Sequence, residues 1–416
     1  MRVLFTTWNW VSHLDPMVPL AVELRSAGHE IMIAGQPGLA SAVAGVGLDF
    51  APVGSDLEVA ARFRDFVLSP VTLAPARPAA PVPGAPARVP RVLGVFADLA
   101  QDMAPELSRF VRMWEPDLVI FESTCWAGWV AASAAGVPAY RFSYGVDLMR
   151  PMREQVSRFV EPVGTAVGAV RHDPYAAPLI DPCPRALQLP GAGPTLRMRY
   201  VPQHTGYSTV VAFPRGCASR ICVTWGTTMS RLGAEYFLLP QVLRQLGELP
   251  DVELIAAVSA AERPLLGELP SSVSVVESAP LSQVLPGCDL VVAHGGAGTM
   301  LTAAVHGIPQ LLVPQLPDHA GHAQRLVAAG AGLACPRSAV TDGSLREAAG
   351  VLLGRREKLA AARSLATEIT RAPSPAVIAA RLERAHAEQV DVHNQGRRTR
   401  EKKSCSLNYS RVSAGR

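Results

Sequence analysis

Lysine and asparagine are scarce in this chain of 416 residues, which has three of each: Lys358, Lys402 and Lys403; Asn9, Asn394 and Asn408. Two of each fall in the last 23 residues, where Arg397, Arg398, Arg400, Lys402, Lys403, Arg411 and Arg416 face a single acid, Glu401. That end carries a net +6, which leaves −2 on the rest of a chain whose total is +4. A basic tail can grip nucleic acid, but so abrupt a change in residue usage marks an appended or altered extension instead. Residues 391–416 are therefore expected to be a disordered or non-native tail, and no nucleic-acid partner is expected.

Other absences narrow the chemistry. The seven cysteines, at 125, 183, 217, 222, 288, 335 and 405, are odd in number and never spaced as Cys-x-x-Cys. Neither a disulfide framework nor a thiolate zinc site is indicated, and they read as small buried hydrophobes. No uninterrupted apolar run could span a bilayer, and Met1-Arg2-Val3-Leu4-Phe5 has neither the charged region nor the cleavage site of a signal peptide. The expected location is the cytoplasm, without a membrane partner. The chain has no Gly-x-Ser-x-Gly elbow, no Gly-Lys-Ser/Thr loop and no Asp-x-Asp pair, so the marks of a serine hydrolase, an NTPase and a metal-chelated diphosphate are missing.

What is present is a soluble globular composition, 49% hydrophobic and 18% charged, in a chain long enough for two domains. Arg2 to Thr7 is a β-type run, and a helix follows from near Asp15-Pro16 to Gly28. The strand Glu30 to Ala34, a helix from Leu39 to Ala44 and the strand Leu48 to Val53 complete a βαβαβ unit, which predicts a parallel sheet. Prolines at 70, 75, 78, 81, 83, 86 and 90 then suit a surface loop, since they support neither helix nor ladder. A long helix from Val92 to Trp114, the strand Asp117 to Phe121, a helix from Cys125 to Ala135 and the strand Pro138 to Ser143 extend the unit. Periodicity fades between 160 and 218, the interdomain candidate. From Arg220 the alternation restarts, with strands at 221–225, 252–258, 273–277, 289–293, 310–313 and 332–335. Helical patterns at 344–353, 356–370 and 374–389 follow. The expected division is an N-terminal domain over 1–200, a linker over 201–218, a C-terminal domain over 219–373 and a helix over 374–390 that packs back toward the first domain.

Ligands in doubly wound sheets bind outside the carboxyl ends of the strands, so motifs are placed by the strand they follow. After the first strand a dinucleotide-binding enzyme would show Gly-x-Gly-x-x-Gly, but Trp8-Asn9-Trp10-Val11-Ser12-His13 contains no glycine, which counts against a nicotinamide or flavin oxidoreductase. The glycines sit instead in the second half, in His294-Gly295-Gly296-Ala297-Gly298-Thr299. That stretch is either a tight strand-to-helix turn or a phosphate cradle at a helix start. His13 is the ionisable group of the first loop and could take a proton from a hydroxyl near neutral pH, or serve as an ordinary structural histidine. Asp15 is as readily a helix N-cap as a chemical group. Glu122 ends another first-domain strand, where it would orient His13, or stand as a solvated loop acid. His319 and His322 could meet a metal at one helix end, but no third ligand is in view, and no metal site is expected.

These residues carry a resemblance. Ser12 to Ala21 with Ala27-Gly28-His29-Glu30, Pro116 to Ile120, Val223-Thr224-Trp225-Gly226-Thr227, Pro280-Leu281, the run from Val292 to Leu301 and His306-Gly307-Ile308-Pro309-Gln310, in this order, resemble the inverting GT-B glycosyltransferases that attach deoxysugars to macrolide and aromatic polyketide antibiotics. The resemblance spans residues 1–390. It implies an α/β fold of two doubly wound Rossmann-like domains facing across a cleft, with the acceptor bound by the first and a nucleotide sugar by the second. It also implies that His294, Gly296, Gly298 and Thr299, with Thr227 beside them, meet the diphosphate, and that Pro280 and Leu281 flank the base. Asp318 and His319 stand where the family commonly has Asp-Gln contacting sugar hydroxyls, so His319 is a departure. His13 matches the family's general base, and Glu122 stands where an Asp usually supports it.

The implied reaction is a single displacement with inversion. Its donor is a dTDP-deoxyhexose serving as co-substrate, its acceptor is a polyketide-type aglycone, and it requires no metal or other cofactor. Trp8, Trp10 and Trp126, with Trp129, are candidates for the acceptor wall, although ordinary core packing accounts for them equally. The resemblance leaves open O- or C-glycosylation, a homodimer and an auxiliary activator protein. The rivals are a sugar-nucleotide epimerase, which would need acid–base carboxylates on both domains, and a catalytically silent helper of another glycosyltransferase.

Overall fold

The computed structural model describes residues 1–68, 91–191, 193–203, 219–389 and 391. The proline-rich stretch from 70 to 90 and the basic tail lie outside the described residues, as does most of the expected linker.

Two parallel sheets account for the strands of the described residues. The first contains β1 (Arg2–Thr6), β2 (Glu30–Gly35), β3 (Asp49–Pro52), β4 (Leu118–Glu122), β5 (Ala139–Phe142), β6 (Leu179–Asp181) and β7 (Thr195–Arg197), in the order β3-β2-β1-β4-β5-β6-β7. The second contains β8 (Ser219–Thr224), β9 (Val252–Val258), β10 (Val273–Glu277), β11 (Leu290–Ala293), β12 (Gln310–Leu312) and β13 (Gly332–Ala334), in the order β10-β9-β8-β11-β12-β13. Both are doubly wound, as the βαβ alternation predicts. The central strands are nearly continuous apolar runs, as in Leu118-Val119-Ile120-Phe121, because helices cover both faces and no side of the strand meets water. Every residue of β4 and of β11 is buried.

In each sheet the strand order reverses beside the first strand: β1 lies between β2 and β4, and β8 between β9 and β11. At such a switch point the loops leave in opposite directions and open a crevice at the carboxyl ends. Thr6 pairs with Phe121 in one sheet, and Thr224 with Ala293 in the other. The carboxyl end of β4 carries Glu122, and the chain after β1, β8 and β11 carries His13, Thr227 and His294.

Differences from the sequence reading concentrate in the turn-rich stretch after 150. A helix spans Arg153–Val167, and β6, between Pro178 and Pro182, and the edge strand β7, after Pro194, are three residues each, too short to register as periodic patterns. The helix through 375–389 sends Ile378, Ala379 and Leu382 into the core cluster that holds Val3, Phe5 and Leu20 of the first domain. His29 Nε2 also lies 2.8 Å from Glu383 Oε1. Cys125, Cys183, Cys222, Cys288 and Cys335 are free and buried. No helix among the described residues is long and apolar enough to cross a membrane.

Candidate functional site

The loop after β1 turns tightly, with Trp10 N–H donating to Trp8 O at 2.6 Å, and passes into the helix Val11–Leu14. That turn places His13 on the cleft wall at 8% exposure. Glu122, the last residue of β4, is fully buried behind it, with Oε2 lying 3.3 Å from His13 Nδ1. The pair is at charge-pairing distance but misaligned for a hydrogen bond, so Nδ1 has no hydrogen-bond partner. Glu122 is itself fixed by Thr124, whose backbone N–H donates to Oε1 at 3.1 Å and whose hydroxyl donates to Oε2 at 2.6 Å. Trp8 Nε1–H in turn donates to Thr124 Oγ1 at 2.9 Å. With Nδ1 turned inward, Nε2 is left as the nitrogen that can meet a substrate proton.

The second domain contributes three loop ends. After β8, Trp225-Gly226-Thr227 leads into the helix Thr228–Leu232, and Trp225 Nε1–H donates to Gln315 Oε1 at 2.6 Å. After β11, His294-Gly295-Gly296 leads into the helix Ala297–Val305, which starts at Gly296 without a side-chain cap. Its first N–H groups therefore keep their capacity for an anion. After β12, the helix Pro317–Ala328 brings Asp318 and His319 to the wall in its first turn.

Bare backbone is needed here. Gly295 has φ +94° and Gly226 has φ +58°. A Cβ on Gly296 would sit 2.5 Å from Nε2 of His294, and one on Gly226 would sit 2.7 Å from its Cε1. The His294 ring is thus seated between two glycines. It meets His319 edge-on at 4.8 Å between ring centroids, and His322 Nδ1–H donates to Gly295 O at 3.0 Å. Burial, together with facing His319 and His322, holds His294 well below the ordinary imidazole range. Burial also pulls His319 down to about 4, despite the opposing pull of Asp318. For Asp318, burial pushes the carboxyl up, but His319 and His322 outweigh it and the net shift is downward.

One cleft of about 400 Å³ takes in both halves, a volume in the range of small-molecule sites. His13, Trp8 and Trp10 line it together with Thr227, Leu281, His294, Gly296, Gly298, Thr299, Asp318 and His319. Three expectations are corrected. Trp126 is 0% exposed and packed in the first-domain core against Phe96, with ring centroids at 5.9 Å, so it is core and not wall. Trp129 is likewise core, with its indole N–H on Arg171 O. Pro280 precedes the short helix Leu281–Val284 and is buried off the wall, where Leu281 stands.

Asp15 is not a cap. It lies within the helical turn Asp15–Met17 and faces the cleft, with Oδ1 buried and unpartnered, and burial pushes its carboxyl up to about 7. The sequence reading missed Tyr144, Phe63, Phe66, Phe96 and Tyr200, all on the wall. Tyr144 stacks on His13 with ring centroids 4.0 Å apart. Its one sequence signal is position, two residues past the end of β5 beside β4. A buried pair supports its loop: Arg141 donates to both oxygens of Asp147 at 2.8 Å, a bidentate, charge-assisted contact. Among the described residues no group of three or more His, Cys, Asp and Glu side chains is arranged to hold a metal ion.

The match to known proteins extends over both domains. The erythromycin biosynthesis protein CIII-like N-terminal domain matches residues 22–226, and the C-terminal domain of the same family matches residues 240–385. The L-demethylnoviosyl transferase of Streptomyces niveus is 34% identical over 91% of this chain and 97% of its own length. The aklavinone 7-beta-L-rhodosaminyltransferase of Streptomyces galilaeus is 34% identical over 93% of this chain and 96% of its own. Among solved structures, the spinosyn rhamnosyltransferase SpnG superposes with a TM-score of 0.78 at 30% identity, covering 92% of this chain and 100% of that one. SpnG has also been solved with spinosyn aglycone and with thymidine diphosphate. Sheet order, switch-point loops and sequence agree along the length of the chain: it belongs to the erythromycin biosynthesis protein CIII-like family, with the GT-B fold, and is a glycosyltransferase.

Proposed function

We propose that this enzyme transfers a deoxysugar from a dTDP-linked donor to a hydroxyl of a polyketide-type aglycone, with inversion at the anomeric carbon. The observation that carries this reading is the division of one cleft: an imidazole backed by a buried carboxylate on the first domain, and an uncapped helix start with two histidines on the second. A base and a leaving-group site on opposite walls suit direct displacement. His13 Nε2 takes the acceptor hydroxyl proton while Glu122 stabilises the resulting imidazolium, and the oxygen attacks the anomeric carbon. The electron pair of the breaking bond goes to the diphosphate, which is held by the N–H groups of 297–299, by Thr227 and by His294.

The aromatic end of the cleft, formed by Trp8, Trp10, Phe63, Phe66 and Phe96, suits a large apolar acceptor. Thymidine diphosphate and an aglycone in SpnG, and the sugars named for the curated relatives, support the donor and acceptor classes. The domain roles follow: residues 1–200 receive the acceptor, residues 219–373 the donor. The test is mass spectrometry of products from a matrix of dTDP- and UDP-sugars against polyketide aglycones, with the anomeric configuration read by NMR. Turnover with UDP-sugars alone, or retained configuration, overturns the proposal.

A further inference from the structure

None of the described lining residues is lysine or arginine, the neighbouring Arg231 being stacked on the Trp10 ring at the aromatic end; the ionisable members of the lining include His13, His294, His319, Asp15 and Asp318. A diphosphate brought there needs positive charge beyond a helix dipole of about half an elementary charge. The unused capacity lies in the histidines. His294 Nδ1, His319 Nδ1 and His322 Nε2 are all buried without a hydrogen-bond partner.

Geometry distinguishes the three. His322 is 0% exposed and off the wall, its Nδ1 is committed to Gly295 O, and its Nε2 is shut against Gly145, where an added Cβ would lie 3.1 Å away. His294 reaches the wall but is enclosed by Gly226 and Gly296 and has no carboxylate neighbour among its ring contacts. His319 also reaches the wall, lies edge-on to His294, and has Asp318 Oδ2 3.9 Å from its Nε2. That acid favours an imidazolium at 319 over one at 294.

We propose that His319 is the charge-switching contact for the donor's diphosphate, neutral in the empty cleft and imidazolium once the anion is seated beside His294. The proposal rests on the nucleotide-sugar reading above. The groups facing His319 are His294 across the edge contact, His322 one turn along the helix, Asp318 beside it and the backbone of Gly295; across the cleft, His13 and Tyr144 lie within electrostatic reach of Asp318. In the empty cleft burial and His322 keep His319 neutral at pH 7. An entering dianion reverses the balance, and the proton comes from solvent. A proton bound with the ligand makes affinity fall as pH rises.

The experiment is calorimetric titration of thymidine diphosphate into the full-length protein, in buffers of differing ionisation enthalpy, between pH 7 and 8.5. That window lies above the phosphate group's own ionisation near pH 6. The expected result is uptake of roughly one proton per nucleotide at pH 7.5, with Kd rising up to about tenfold per pH unit. In His319→Gln, which keeps a polar side chain without a titratable ring, uptake falls below about a third of that value and the slope flattens. Absent uptake in the wild type, or undiminished uptake in His319→Gln, overturns the proposal. Uptake that survives His319→Gln and disappears in His322→Gln also overturns it. Should His319→Gln fail to fold by circular dichroism, His319→Asn takes its place, and the wild-type measurement needs no variant. Failure of the wild type to bind thymidine diphosphate anywhere in this range overturns the nucleotide reading itself, a different outcome from binding without uptake.

Discussion

Tyr144 lies over the imidazole of His13, with ring centroids 4.0 Å apart and planes inclined by 29°. Trp8 meets the same imidazole at 4.8 Å, its plane tilted by 59°. The ring is therefore held by two aromatic rings and one carboxylate, not by a hydrogen bond at Nδ1. Such a face contact is worth about 0.5–1.5 kcal/mol, and misplacing a reacting group by an ångström costs far more in rate. Tyr144→Phe, which keeps the face, is expected to hold kcat within about twofold, whereas Tyr144→Ala loses about tenfold or more. Steady-state kinetics of the two variants decide it; equal losses would assign the effect to the hydroxyl.

Removing the imidazole is more severe. His13→Ala is expected to lower turnover by roughly 10²–10⁴-fold, the usual worth of a positioned base. Thymidine diphosphate affinity should stay near normal, because the proposed phosphate contacts belong to the other domain. Product formation by mass spectrometry, paired with a nucleotide titration, separates the two effects. Full turnover of His13→Ala would take the base role away from His13.

Crowding the proposed leaving-group site tests the other wall. Valine at Gly296 drives a Cβ to 2.5 Å from His294 Nε2, and either the ring leaves its seat or the helix start shifts. Gly296→Val is expected to weaken thymidine diphosphate binding by about tenfold or more, the loss of one good contact, with the far-ultraviolet circular dichroism spectrum unchanged. Unaltered affinity would show that the glycines serve the turn alone.

Much of this arrangement is legible in the sequence, and the parts that are not have physical reasons. The apolar runs of β1, β4 and β11 stand out because both sheet faces are covered, and the glycines after β11 stand out because few backbones turn so tightly. His13 and Glu122 are placed by the strand each follows. Tyr144 follows a strand too, but Ser143-Tyr144-Gly145 carries no spacing that distinguishes a stacking ring from a loop residue. Trp126 shows the converse failure: its helix Trp126–Ala135 is apolar nearly all round and buried from Trp126 to Ser133, so a tryptophan one step past a switch-point loop turns inward. β6 and the edge strand β7 are three-residue strands paired over two or three residues, held by their neighbours and not by their own propensity.

Asp15 offers a pH signature of folding. Its carboxyl is raised from 3.8 to about 7 by burial, so the protonated form is the one the fold prefers. That preference is fully present below the unfolded value and is lost as pH climbs through about 7, where the fold must accept a charge. Asp15→Asn carries no such charge. Its Tm should match the wild type near pH 4 and exceed it at pH 8 by about 1 °C, the effect of roughly 1 kcal/mol in a protein of this size. Differential scanning calorimetry at the two pH values checks this; a gap that does not change with pH would mean that ionisation of Asp15 costs the fold nothing.

The aromatic end of the cleft is also a seam. Phe63 and Phe66 belong to the first-domain chain yet pack on the second-domain core, Arg64 Nε–H donates to Leu232 O, and Leu68 N–H donates to Gln315 O at 2.8 Å. Arg231 of the second domain lies over the ring of Trp10 at 4.3 Å. Neither half of the molecule owns this wall. A chimera that joins one half to the matching half of a relative would therefore inherit a pocket found in neither parent, unless residues 59–68 and the helix Thr228–Leu232 were exchanged as a pair.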